Sequence, residues 1–223
     1  MINTIAKTTF ISALLLLSTS AFSFGLSDLT GGGEENSSSV DSYAAQDGLV
    51  KQYNKAAKNV AVAQQMFAKA LGLKKVAAAA DAEAEAIEAG AVVDEDSMER
   101  NKEVTDASNK AILAKLESSE ELSKEAKKEF AEAFVPYFVG LVETSKISEA
   151  AADFIAGATS TINSASLMDK LSVTKKLSPG MYVAKEVPGF GVNLYDSSKT
   201  LVAFAKSQGI EVPDDVLDEV SFN

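Results

Sequence analysis

Histidine, cysteine and tryptophan do not occur in this chain of 223 residues, and arginine occurs once, at Arg100. Each absence removes a class of chemistry. Without imidazole or thiolate there is no ordinary ligand set for zinc, copper or haem. The same gap removes Ser-His and Cys-His nucleophile pairs, together with the commonest general base near neutral pH. An enzyme made from this inventory would have to work with carboxylates, lysines, tyrosines and hydroxyls alone. No disulfide can brace the fold, so packing has to hold it together. The inventory therefore predicts a non-enzymatic protein without metal or cofactor.

Long hydrophobic runs are missing too. The longest, FISALLLL from Phe10 to Leu17, is far short of the roughly 20 residues that span a bilayer. It follows Lys7 and precedes STSAFSFG, in which Ala21 and Ser23 fit a small-residue cleavage pattern. Residues 1–23 thus read as a cleaved export signal. No cysteine stands at the cleavage point, which excludes a lipid-modified bacterial lipoprotein. The expected location is the periplasm or the extracellular space of a bacterium.

Acidic side chains outnumber basic ones, 32 to 21, for a net charge of −11. That balance disfavours a general attraction to nucleic acid. Residues 24–39, rich in Gly, Ser and acidic side chains, read as a flexible tether. The 200 residues or so beyond the signal suffice for one domain with a core.

Helical periodicity fills that domain, assigned to residues 40–209. Tyr43, Val50, Tyr53, Ala57, Val60, Phe67 and Leu71 fall on a 3-4 spacing with Gln64 as the polar member, which predicts a helix burying one stripe. Gly72 breaks it. An Ala-rich helix follows, burying Val76, Ala80, Ala84 and Ile87 and closing at Gly90. Asp94 or Asp96 caps a third helix whose apolar side is Met98, Val104, Ala107, Ala111 and Leu116. Ser118 and Glu121 have capping-box spacing for the next start. Leu122, Ala126, Phe130, Phe134, Tyr137 and Leu141 then keep one face, interrupted by Pro136. Ile147, Ala151, Phe154, Ala158 and Ile162 form a further face, beside a small-residue stripe at Ala152, Ala156, Ser160 and Ser164 whose spacing suits close helix packing.

The last segment raises its own question, because Pro188 and Gly189 stand inside it. Val183, Val187, Phe190, Leu194, Leu201 and Ala205 nonetheless hold a single phase through the pair. One helix kinked at Pro188 accounts for that better than two separate elements. Ser178-Pro179 reads as its start, with proline in the first turn, Gly209 as its end, and residues 210–223 as an acidic tail. Strand alternation and hairpin signals are absent. The fold class is all-α: a compact antiparallel bundle of about five or six helices, two of them kinked at Pro136 and Pro188.

Few motifs carry chemistry. Ser172 and Lys175 share the S-x-x-K spacing of penicillin-recognising serine enzymes, but the partner motifs and strands of those enzymes are missing, so SVTK reads as a helix-end loop. The carboxylates of Asp94–Glu103 resemble a calcium loop until Met98 occupies a ligand position, and helix capping explains them better. Glu83, Glu85 and Glu88 read as a solvated face. Between Asp169 and Lys206 six lysines oppose three carboxylates. Such a segment suits an anionic membrane or an acidic partner, although Lys175, Lys176 and Lys185 are expected to neutralise neighbouring acidic helices.

Two functions follow. The first is a binding or structural module of the cell envelope or extracellular space, with a protein or envelope partner and no nucleic acid. The second is a lipid- or membrane-acting protein whose kinked helices open to present Phe134, Tyr137, Phe138, Phe190, Val192 and Leu194.

Overall fold

The computed structural model describes residues 38–118 and 120–212. Among them the chain forms five α-helices and no strand: α1 (Ser38–Ala70), α2 (Lys74–Glu88), α3 (Glu95–Leu116), α4 (Lys124–Ser164) and α5 (Lys170–Ser207). The signal, residues 1–23, most of the tether and residues 213–223 of the acidic tail lie outside the described residues.

The helix ends obey local chemistry. Gly72 and Gly90 take φ of 73° and 74°, a left-handed conformation that costs glycine little because it lacks a Cβ. After each, an amide reaches back across the turn: Leu73 N–H donates to Ala68 O at 2.7 Å and Ala91 N–H to Ala86 O at 2.9 Å. These bonds satisfy carbonyls that the helix end leaves open. At the start of α3, the Asp94 carboxylate accepts from Ser97 N–H at 2.9 Å, and the Ser97 hydroxyl accepts from Asp94 N–H at 3.0 Å. That reciprocal pair is a capping box. The expected cap of α4 at Ser118 is not used. Ser118 donates back to Lys115 O at the end of α3, and Ser123 caps α4 by accepting from Ala126 N–H at 3.2 Å.

Both long helices run on through their prolines, Pro136 in α4 and Pro179 and Pro188 in α5. The expectation that Pro179 opens the last helix is corrected: α5 begins at Lys170, and SVTK lies in its first turns, not in a loop. A proline in a helix interior removes an N–H and crowds the carbonyl four residues back. At Pro179 the neighbouring backbone gains a splint from α1. The Gln46 amide donates to Lys176 O at 2.9 Å and accepts from Gly180 N–H at 3.1 Å, so one side chain serves a backbone pair four residues apart.

α1 packs against all four other helices. It runs antiparallel to α4, since Ser42 bonds Thr161 near one end while Phe67 meets Phe130 near the other. The core has two apolar clusters. One gathers Phe67, Phe130, Phe134, Tyr137 and Phe138; Phe67 has ring centroids at 4.7, 5.1 and 5.8 Å to the first three of the others. The second gathers Tyr53, Met98, Ile147, Phe154, Leu177 and Val183. Ile210 and Val212 join the first cluster, so packing continues past Gly209.

The small-residue stripe corrects another expectation. Ala152, Ala156, Ser160 and Ser164 are all exposed, whereas Ala151 and Ala158 face inward. The close approach lies elsewhere, at Gly140: a Cβ there would sit 2.7 Å from Val60 Cγ2 and 3.1 Å from Ala56 O. Gly140→Ala should therefore destabilise by about 1–3 kcal/mol through overpacking. Gly48→Ala, with nothing within 4 Å of the added carbon, should stabilise by up to ~1 kcal/mol through helix propensity. Urea unfolding of the two variants checks the contrast.

Candidate functional site

The buried face of α3 departs most from expectation. Met98 and Leu116 point inward, but Ala107 is exposed and Val104 half-buried; the residues that accompany them inside are Asn101, Thr105, Ser108 and Ile112. Polar groups removed from water need partners, and Asn101 and the Thr105 carbonyl have them. Tyr53 donates to Asn101 Oδ1 at 2.7 Å and to Met98 O at 3.2 Å. The Asn101 amide in turn donates to Glu83 at 2.7 Å. Gln64, the polar member of the α1 stripe, donates to Thr105 O at 3.0 Å. These bonds tie α1 to α3 and α3 to α2. Glu83, assigned to a solvated face, is the acceptor that ends the chain of bonds.

Burial raises the Tyr53 phenol well above its ordinary value, with the charges of Tyr182 and Glu83 adding to it. The neutral hydroxyl is therefore a donor at any physiological pH. Nearby, Tyr182 is pushed up to about 12 by burial first and then by Glu186, Glu99, Asp106 and Glu95. Tyr53, Lys102, Tyr182, Glu186 and Phe190 line a crevice of about 10 Å³, which is barely the space of one water. A depression of about 290 Å³ lies among Leu71, Lys115, Glu121, Leu122 and Phe204, where α1, α3 and α5 end and α4 begins. Its walls mix apolar and charged side chains without a convergent set of polar groups.

Ser172 and Lys175 are both exposed on α5, and no hydrogen bond joins them among the described residues. Asp94 is occupied as the cap of α3, and no group of three or more potential metal ligands occurs among the described residues. Glu143, near the middle of α4, is nearly buried between two ammonium groups, Lys55 at 3.0 Å and Lys146 at 3.2 Å. Burial by itself would raise its carboxyl, but the hydrogen bonds and charges of the two lysines outweigh it and the net shift is downward. This is an α1–α4 tie, not a poised acid.

The six side chains expected to meet lipid are divided by the packing. Phe134, Tyr137, Phe138 and Leu194 are buried, and Tyr137 donates to Leu194 O at 2.7 Å. Phe190 is half-buried and Val192 exposed. The first four reach lipid only if α4 and α5 part.

An apolar surface exists at another place, which periodicity had passed over. The turn between α4 and α5, with the start of α5, holds Leu167, Met168 and Leu171 at 91, 92 and 81 % exposure. They are the most exposed large hydrophobic side chains among the described residues. The turn is tied from within: Asp169 and Lys170 amides both donate to Ser166 O, at 3.0 and 2.9 Å, and the Ser166 hydroxyl donates to the Asp169 carboxylate at 2.6 Å. Lys170, Lys175 and Lys176 follow within two turns and form no ion pair among the described residues. Lys185 likewise forms no ion pair among the described residues. Lysines elsewhere do pair, as with Lys58–Glu88 and Lys102–Asp106.

No protein-family model, curated protein or solved structure matches the chain. No helix among the described residues is long and apolar enough to cross a membrane.

Two variants separate the scaffold from the surface. Tyr53→Phe should cost about 1–3 kcal/mol, because Asn101 loses a buried donor. Glu143→Gln should cost no more than ~1 kcal/mol at pH 7, since its lysine partners are 60 % and 53 % exposed and such pairs are screened. The depressed Glu143 value fixes the sign: its contribution is present above the ordinary 4.5 and lost as pH falls through the folded value. Urea midpoints of parent and variant should differ at pH 7 and converge in acid.

Proposed function

We propose that this chain is an exported, non-enzymatic helical module that acts through its surface in the cell envelope or outside the cell. The observation that carries the reading is the α4–α5 end, where three large apolar side chains stand in water beside lysines that form no ion pair among the described residues. Exposed apolar clusters beside polar rims are characteristic of interaction sites. Residues 1–23 act as the cleaved signal, and the tether runs from residue 24 to the start of α1 at Ser38. Pro136 and Pro188 bend α4 and α5 by crowding the carbonyls of Glu132 and Ala184.

A second reading has α4 and α5 part at those bends so that Phe134, Tyr137, Phe138, Phe190, Val192 and Leu194 meet acyl chains. It would expose an aromatic cluster whose burial is worth about 1.5–3 kcal/mol per side chain, and it would break the Tyr137–Leu194 bond. The α4–α5 end offers an apolar contact at no such cost.

Intact-mass spectrometry of protein recovered after export tests the reading. The expected result is a chain beginning at or near Phe24 with no bound cofactor. Retention of residues 1–23 would remove the export step. Turnover that survives stringent purification and is abolished by one Ser, Lys or Glu substitution would remove the non-enzymatic assignment.

A further inference from the structure

We propose that the segment after Val212, residues 213–223, folds back as a short amphipathic helix and seats Val216, Leu217 and Val220 in the depression where α1, α3 and α5 end and α4 begins. The inference goes beyond the reading of the chain as an exported module and holds whether or not the chain is exported.

The chain is aimed at that depression before it passes Val212. Gly209 takes φ of 70°, and Ile210 N–H donates back to Ala205 O at 2.9 Å, the glycine turn that redirects a chain at a helix end. The Gln208 side chain accepts from Leu122 N–H at 3.0 Å and donates to Glu120 O at 3.4 Å. Glu120 and Leu122 both line the depression. Ile210 is buried, and Val212 packs against the same cluster as Leu71, Leu122, Ala126 and Phe204. Eleven residues follow Val212. As a helix they would run about 16 Å, enough to lie across a depression of about 290 Å³.

The segment has the chemistry of that surface. In PDDVLDEVSFN, Val216, Leu217 and Val220 stand at i, i+1 and i+4, one side of a helix. Pro213, Asp214 and Asp215 suit its first turn. The depression supplies hydrocarbon from Ala70, Leu71, Leu122, Ala126 and Phe204, continuous with the first core cluster. Its charged members are already engaged, Lys115 with Glu120 at 2.8 Å and Glu121 with Lys127 at 3.3 Å. An apolar helix face fits such a surface better than a small polar ligand.

Charge favours the same occupant. Every helix that reaches the depression contributes, and residues 64–81, 109–131 and 200–212 together carry nine lysines against seven carboxylates. That end is positive in a chain of −11, while residues 213–223 carry four carboxylates and no basic side chain. An acidic segment is drawn to it. The segment of a second copy would meet the same surface, but the chain's own segment starts beside it, and tethering gives it an effective concentration in the millimolar range.

Amide hydrogen exchange and a nitroxide probe test the proposal on the full chain. Amides of residues 217–220 should exchange about tenfold or more slowly than in a free peptide. Cysteine is absent, so Lys124→Cys, at an exposed position in the first turn of α4, gives one labelling site beside the depression. A nitroxide there should remove most of the amide intensity of residues 216–220. The same label at Ser160→Cys, about 50 Å farther along α4, should leave it. Leu217→Asp with Val220→Asp should return those amides to free-peptide exchange and restore their intensity, while Phe134 in the core stays protected. Free-peptide exchange at residues 217–220 in the parent would overturn the proposal, as would protection that the Lys124 label does not reach or that the double variant retains. Broadening seen only between a labelled copy and a separate isotope-labelled copy would overturn it in favour of a segment exchanged between chains.

Discussion

Everything in this fold is arranged around the contact of α1 with α4. α1 touches each of the other helices, and the missing side chain of Gly140 lets the α4 backbone approach Ala56 and Val60. That approach brings Phe67 into the cluster of α4 aromatics, where tilted and edge-on rings sit within 6 Å of it. Such pairs add about 0.5–1.5 kcal/mol each beyond the area they bury. Farther along the same seam, Lys55 of α1 and Lys146 of α4 hold Glu143 between them. With no disulfide available, the close-packed seam and its aromatic end must together offset the entropy of ordering two helices of 33 and 41 residues.

The other side of α1 is organised by polarity. Tyr53, Gln64, Asn101 and Glu83 form directed bonds across three helices, and among the described residues Asn54 Oδ1 is the buried side-chain polar atom left without a partner. Apolar stripes tolerate sliding by a turn because many contacts are nearly equivalent. A buried donor displaced from its acceptor pays the full desolvation cost. The network therefore fixes the register of α3 against α1 more sharply than Met98, Ile112 and Leu116 could alone.

Most helix ends were legible because their signals are local. Gly72, Gly90 and Gly209 announce left-handed turns, and Asp94 announces a cap that needs only its own neighbours. The apolar faces of α1, α4 and α5 were legible for a related reason: most of their inward turns carry a large apolar side chain. α3 was not, since Asn101, Thr105 and Ser108 look like surface until Tyr53 and Gln64 arrive from a distant segment. Pro179 misled because proline suits a first turn, and the sequence has no local sign that Gln46, more than a hundred residues away, serves the backbone beside it. The exposed stripe Ala152–Ser164 misled in the opposite direction: small residues permit close packing without requiring it. The α4–α5 end escaped notice because periodicity locates the inside of helices, and Leu167 and Met168 stand between two of them.

Charge and packing meet at that end. Many carboxylates of this chain lie along α2, α3 and the first part of α4, where lysines such as Lys58, Lys102 and Lys128 pair with them, and others lie in the tether, near the start of α1 and in the C-terminal tail. Past Asp153 on α4 and before Glu186 on α5, Asp169 is the sole carboxylate, and the Ser166 hydroxyl engages it. Placing bare leucine and methionine at that end would be a solubility cost without a matching surface. The coincidence of exposed hydrocarbon, ammonium groups without an ion pair among the described residues and a tied turn at one apex makes sense if that apex is where this molecule is held.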